Sequence, residues 1–236
     1  MALDVYVGSL TRYYARDWEG TAERATRDRG GDRETNRSSA ASDRLKEAER
    51  LRPRVLAWRT ALHGSLGADA PVPFEWSESL DGPHFTGRPG WASFGSLVLW
   101  AAYIEHPSLR RPPTLPELWD DDPALMRSNA EGFRSRFAHL VRKVELWLPV
   151  SFPFTFEAND VDGRRIVIGS ADTLSRQLAD LNNATWKVDS NEIVSWSRRP
   201  PLDDAPLEIR ARYGFAILSA LARRAVEHRL PMKLDT

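Results

Sequence analysis

Residues 90–106 carry Trp91, Phe94, Leu97, Val98, Leu99, Trp100, Tyr103 and Ile104 at spacings that put apolar side chains on nearly every side of a helix. Such a helix offers no face to water, so it belongs in the middle of the fold with other elements packed around it. Residues 206–228 predict a second long helix, whose Ala211, Ala222 and Ala225 beside Phe215, Leu218 and Leu221 are small enough to let a neighbour approach closely. A stripe of Leu45, Ala48, Leu51, Val55, Trp58 and Leu62 predicts a third, kinked or restarted at Pro53 and stopped at Gly64.

Strand signals are fewer. Leu3, Val5 and Val7 alternate with Asp4 and Tyr6, Phe152, Phe154 and Phe156 lead through a turn at 159–163 to a second run at 165–168, and Leu230, Met232 and Leu234 alternate near the C-terminus. Further helices are expected over 10–25, over the Phe133, Phe137, Leu140, Val144 and Leu148 stripe, after a Ser170 cap, around 186–196, and where Asp120 to Asp122 precede Pro123. The chain therefore reads as α+β: a mainly helical domain packed against a small, largely antiparallel sheet, one domain over 1–236. Residues 27–43 have a Gly pair and no large apolar side chain, and are expected to form a mobile loop.

Composition excludes several chemistries. With no cysteine, there is no thiol nucleophile, thiolate zinc site or disulfide. The 33 basic and 33 acidic residues cancel, so no overall field draws in nucleic acid or an anionic membrane. No apolar run is long enough to span a bilayer and no secretory leader is evident, which favours the cytoplasm. Only Lys46, Lys143, Lys187 and Lys233 are lysines, an Arg preference that suits a GC-rich genome. Neither a phosphate loop, a nucleophile elbow nor a paired-His motif occurs, so no metal or cofactor is expected.

Two stretches mix charged and aromatic groups as a site would. The first holds Asp4, Tyr6, Arg12, Tyr13, Tyr14, Asp17 and Trp18, offering anions, a guanidinium clamp and hydrogen-bonding rings. The second holds Glu75, Trp76, Asp81 and His84 in a long segment without periodicity, where a general acid or base would sit beside an aromatic surface. Both also suit structural roles, as ion pairs and loop anchors. Trp18, Trp76 and Trp119, set among charges or prolines, are expected to be exposed; His139 and His228 read as surface residues, and His106 as a helix cap.

The opening M-A-L-D-V-Y-V-G-S-L-T-R-Y-Y, with I-G-S-A-D-T-L at 168–174 and E-H-R-L-P-M at 227–232, resembles bacterial proteins of unknown function from GC-rich genomes. That resemblance implies a bacterial, cytoplasmic setting and carries no activity, cofactor or catalytic residue. The expected function is binding of another protein or a small ligand, with an immunity or defence-associated role as one form. A small hydrolase or transferase using Asp4, Asp17 or His84 is the alternative.

Overall fold

The computed structural model describes residues 3–18, 37–67 and 73–235, with side chains of the long second helix described from Arg44 onward. The fold is α+β. Strands β1 (Asp4–Val7), β2 (Phe85–Gly87), β3 (Val144–Leu148), β4 (Phe156–Asn159), β5 (Arg165–Ser170) and β6 (Met232–Asp235) form one sheet in the order β2-β1-β6-β3-β5-β4. The pairs are antiparallel except β3 with β5. The helices are α1 (Leu10–Tyr14), α2 (Arg37–Leu66), α3 (Gly90–Glu105), α4 (Pro123–Ser128), α5 (Ala138–Val141), α6 (Ala171–Ala184), α7 (Ser190–Ser197) and α8 (Leu207–His228), with a 3-10 turn at Trp119–Asp121 before α4.

Alternation divides the sheet into two faces. Leu3, Val5, Val7, Met232, Leu234, Val144 and Trp147 share a buried cluster with Phe94, Leu97, Val98 and Leu99 of α3, Leu174 and Leu178 of α6, and Phe215 and Leu218 of α8. A bulge between Val144 and Leu146 lets Leu146 and Leu148 turn the other way. There they meet Ile166, Ile168, Leu10, Val55, Leu62, Phe74, Trp76 and Phe152, under α1 and α2.

The central helix is placed as its sequence requires, with its middle turns buried on all sides. It lies so close to α8 that a Cβ on Gly214 would overlap the Ser93 carbonyl oxygen. Other elements match the expectations: Ser170 caps α6 by accepting from the Thr173 N–H at 3.1 Å, Asp122 caps α4 ahead of Pro123, and a β4–β5 hairpin turns at Gly163 with φ 84°, although its first strand begins only at Phe156, so Phe152 and Phe154 precede it.

Several expectations are corrected. The helix begun at Leu10 ends at Tyr14, two residues before Arg16 adopts φ 54°. Helix α2 begins at Arg37, inside the segment read as a loop; residues 27–36 of that segment lie outside the described residues. It runs through Pro53 and past Gly64, ending just before Gly67 at φ 50°. The helix expected over 133–148 is the short α5 followed by β3, because Lys143 at φ 52° breaks the helix and residues 144–148 pack on both faces of the sheet. Apolar spacing alone does not separate a helix from a strand buried on both sides. Strand β2 carried no signal.

Gly214→Ala should lower folding stability by about 1–3 kcal/mol, since the added methyl has to push α3 from α8. Urea denaturation measures this directly; an unchanged midpoint would contradict the close contact.

Candidate functional site

The two polar stretches of the sequence meet on the α1 side of the sheet. Tyr6 projects from β1, donates its hydroxyl to the Ser9 carbonyl at 3.1 Å, and packs its ring 5.5 Å from Tyr13 and 5.0 Å from Trp18. Ser9 caps α1 by accepting from the Arg12 N–H, which aims the Arg12 side chain toward the second stretch. Its guanidinium donates to the Gly82 carbonyl at 2.8 Å and lies 3.0 Å from His84 Nδ1, with Asp17 at 3.7 Å. A guanidinium only donates, so Nδ1 of His84 is an acceptor here. Asp4 is held by Arg88 through two hydrogen bonds of 3.0 and 2.8 Å.

The segment around Glu75 is extended, so successive side chains alternate: Phe74, Trp76 and Glu78 are buried, whereas Glu75 points outward and does not join the cluster. Asp81 is exposed as well. Trp18 and Trp76 are buried, contrary to the exposure expected of them, because each ring closes over α1 or α2. Glu78, which sequence reading passed over, accepts from the N–H groups of Leu10 at 3.2 Å and Thr11 at 2.7 Å and from the Trp76 indole. A carboxylate against the first N–H groups of a helix is a strong local anchor. Its alternation with Phe74 and Trp76 was the available signal.

Beside this cluster, on the face of β6 opposite Met232 and Leu234, lies a buried charge. Lys233 is 1% exposed, with Nζ 3.7 Å from Asp160 and 5.5 and 6.0 Å from the rings of Tyr13 and Tyr14. Tyr14 donates to Asp160 at 3.1 Å, and Tyr13 donates to Asp235 at 2.8 Å. Asp160 also accepts from the backbone of Asp162 and Arg164, which fixes the hairpin turn. The cluster thus joins α1, the C-terminal strand and the β4–β5 turn. Burial pushes Lys233 below the ordinary lysine value, opposed by the Asp160 carboxylate. Burial also holds Tyr6, Tyr13 and Tyr14 well above the tyrosine value, reinforced by Asp235 at Tyr13 and Asp160 at Tyr14.

Three further histidines lie away from this cluster. His139 is fully buried rather than on the surface, with Nδ1 accepting from the Ser170 N–H at 2.9 Å, and burial lowers its pKa to about 4. His106 is the C-cap of α3, and His228 is exposed beside Phe85.

Open space lies on the opposite face. A cavity of about 340 Å³ is walled by Phe94, Val98, Leu125, Leu140, Val141, Val144 and Leu234 and bordered by Trp91, Trp119, Asp120, Lys143 and Glu145. The elements that frame it are α3, the 3-10 turn, α4, α5, β3 and β6. Trp119 is half-buried because Gly95 leaves room for its indole, where a Cβ would come within 2.7 Å of the ring. Trp91 is 37% exposed although its helix is otherwise interior. At the mouth the Lys143 ammonium lies 3.5 Å from Asp120, with both side chains largely in water, and Glu145 holds Arg164 at 2.6 Å. A second, somewhat larger groove of about 420 Å³ runs between α6, α7 and α8 over Leu178, Ile193 and Phe215. Among the described residues no group of three or more His, Asp or Glu is placed to hold a metal ion, and no helix is long and apolar enough to cross a membrane.

Comparison of the chain with known proteins finds no matching family model, no matching curated protein and no matching solved structure.

The buried cluster has a testable pH signature. Between its lowered folded value and the ordinary value of about 10.4, Lys233 is protonated in the unfolded chain and not in the folded one, so stability rises with pH. Above about pH 10 unfolded tyrosines release protons that the folded ones keep, so stability falls. Urea midpoints should therefore climb on the alkaline side and then drop. Lys233→Met should remove the climb and Tyr14→Phe soften the drop; identical profiles for both variants and the parent would contradict the burial of these groups.

Proposed function

We propose that the protein is a binding protein that takes an apolar group of its ligand or partner into the cavity between α3, α4, α5 and the sheet. The cavity itself carries this reading. Its floor is made of core side chains, and about 340 Å³ opens above them between Trp91, Trp119 and the charged rim. The pocket opens to solvent, so an apolar group that enters it displaces water and gains dispersion contact with these side chains. The volume falls within the range of small-molecule sites. Exposed apolar side chains adjoin the lining in sequence: Leu118 beside Trp119 is 73% exposed and Met126 beside Leu125 is 61% exposed.

The N-terminal cluster supports a structural role better than a catalytic one. Asp4 is engaged by Arg88, and Nδ1 of His84 already accepts from Arg12, which leaves the hydrolase or transferase alternative without a free base on that nitrogen. The setting we propose is the bacterial cytoplasm, with a protein or small-molecule partner and an immunity or defence-associated role as one concrete form.

The test is a filled cavity. The neutral apolar dye N-phenylnaphthylamine should brighten on binding the parent protein, and Val98→Phe should abolish that binding while keeping the urea midpoint at or above the parent's, because the ring enters vacant space. Undiminished dye binding by the variant, or a loss of stability of about 1–3 kcal/mol as in an overpacked core, would overturn the reading.

A further inference from the structure

Resting on the cavity reading, we infer that the occupant is an amphiphile whose polar end is an organic cation, its apolar body lying between α3 and β3 and its ammonium head at the mouth beside Trp91, Trp119 and Asp120. The 3-10 turn brings Trp119 and Asp120 to the mouth together, and Trp91 comes from the first turn of α3. An indole face carries the negative lobe of the ring quadrupole, so it attracts a cation and repels an anion, and Trp is the best of the aromatics at this. Asp120, Glu145 and Lys143 line the site, and Arg164 neutralises Glu145, so the carboxylate left for a cation is Asp120.

These charges differ in how available they are. Glu145 is committed to Arg164 at 2.6 Å. Asp120 and Lys143 are 3.5 Å apart with side-chain exposures of 52% and 65%, the geometry of a solvated surface pair that contributes little and exchanges readily. An incoming ammonium therefore replaces Lys143 at the Asp120 carboxylate while the lysine swings into water. An anionic head could pair with Lys143 only by displacing Asp120, and would bring its charge against the indoles of Trp91 and Trp119. A neutral head would gain the apolar burial without the charge contribution.

Three probes sharing one alkyl chain separate these cases: decyltrimethylammonium, decanoate and decanol, each titrated below its micelle concentration and followed by tryptophan fluorescence and calorimetry. The ammonium should bind about tenfold more tightly than decanol, and decanoate more weakly than either. Asp120→Asn should bring the ammonium close to decanol without changing decanol binding, and Lys143→Met should tighten the ammonium. Decanoate binding as tightly as the ammonium would overturn the cationic head, and an ammonium preference untouched by Asp120→Asn would overturn its pairing with Asp120, either result leaving the cavity reading intact. Failure of decanol to bind, together with failure of the neutral dye, would instead overturn the cavity reading on which this inference rests.

Discussion

Burial of α3 is the constraint on which the rest of the architecture depends. A helix with Phe94, Leu97, Val98, Leu99 and Trp100 in consecutive turns has to be covered by protein on each side. The sheet covers one side through Val5, Val7 and Leu234, and α8 covers another at a distance that only Gly214 permits. Toward α4 and α5 the cover is thinner: two short helices and the indole of Trp119 laid over Gly95. The cavity lies on that flank. Close packing on one side of α3 and incomplete packing on the other thus come from the same element, and the incomplete side is where a binding role has room.

On the other face of the sheet the polar residues serve order rather than openness. Lys233, Asp160, Tyr13, Tyr14 and Asp235 connect segments far apart in sequence, so the first helix, the hairpin turn and the last strand are held to one another. Burying an ammonium costs solvation that one carboxylate at 3.7 Å and two aromatic faces only partly return. Such a cluster specifies an arrangement more than it adds stability. Glu78 works in the same way on α1, whose five residues would not hold a helix alone.

Much of this was legible in the sequence wherever periodicity and caps agreed. The α3 stripe, the small residues of α8, the Ser170 and Asp122 caps, the β4–β5 hairpin and the terminal strand all follow from local patterns that the tertiary structure keeps. The misses have physical causes. At 133–148 the apolar spacing fits both a helix and a strand packed on two faces, and the left-handed turn at Lys143 that decides between them leaves no signature in a lysine. The convergence of Arg12 with His84 depends on a segment without periodicity, so the residues were visible and their meeting was not. Glu78 and Lys233 were hidden by type, since charged residues are expected in water. The cavity was least legible of all, because unfilled space is a property of how α4, α5 and Trp119 meet α3 and not of any one stretch.

The central claim is that the space beside α3 is the binding site, and methyl-resolved NMR during titration with decyltrimethylammonium tests it most directly. The account expects the largest shifts at the methyl groups of Val98, Leu125, Leu140, Val141, Val144 and Leu234, with Leu10, Val55 and Ile166 on the opposite face of the sheet unmoved. Shifts centred on those opposite-face residues, or on Leu178 and Ile193 between α6 and α7, would contradict it.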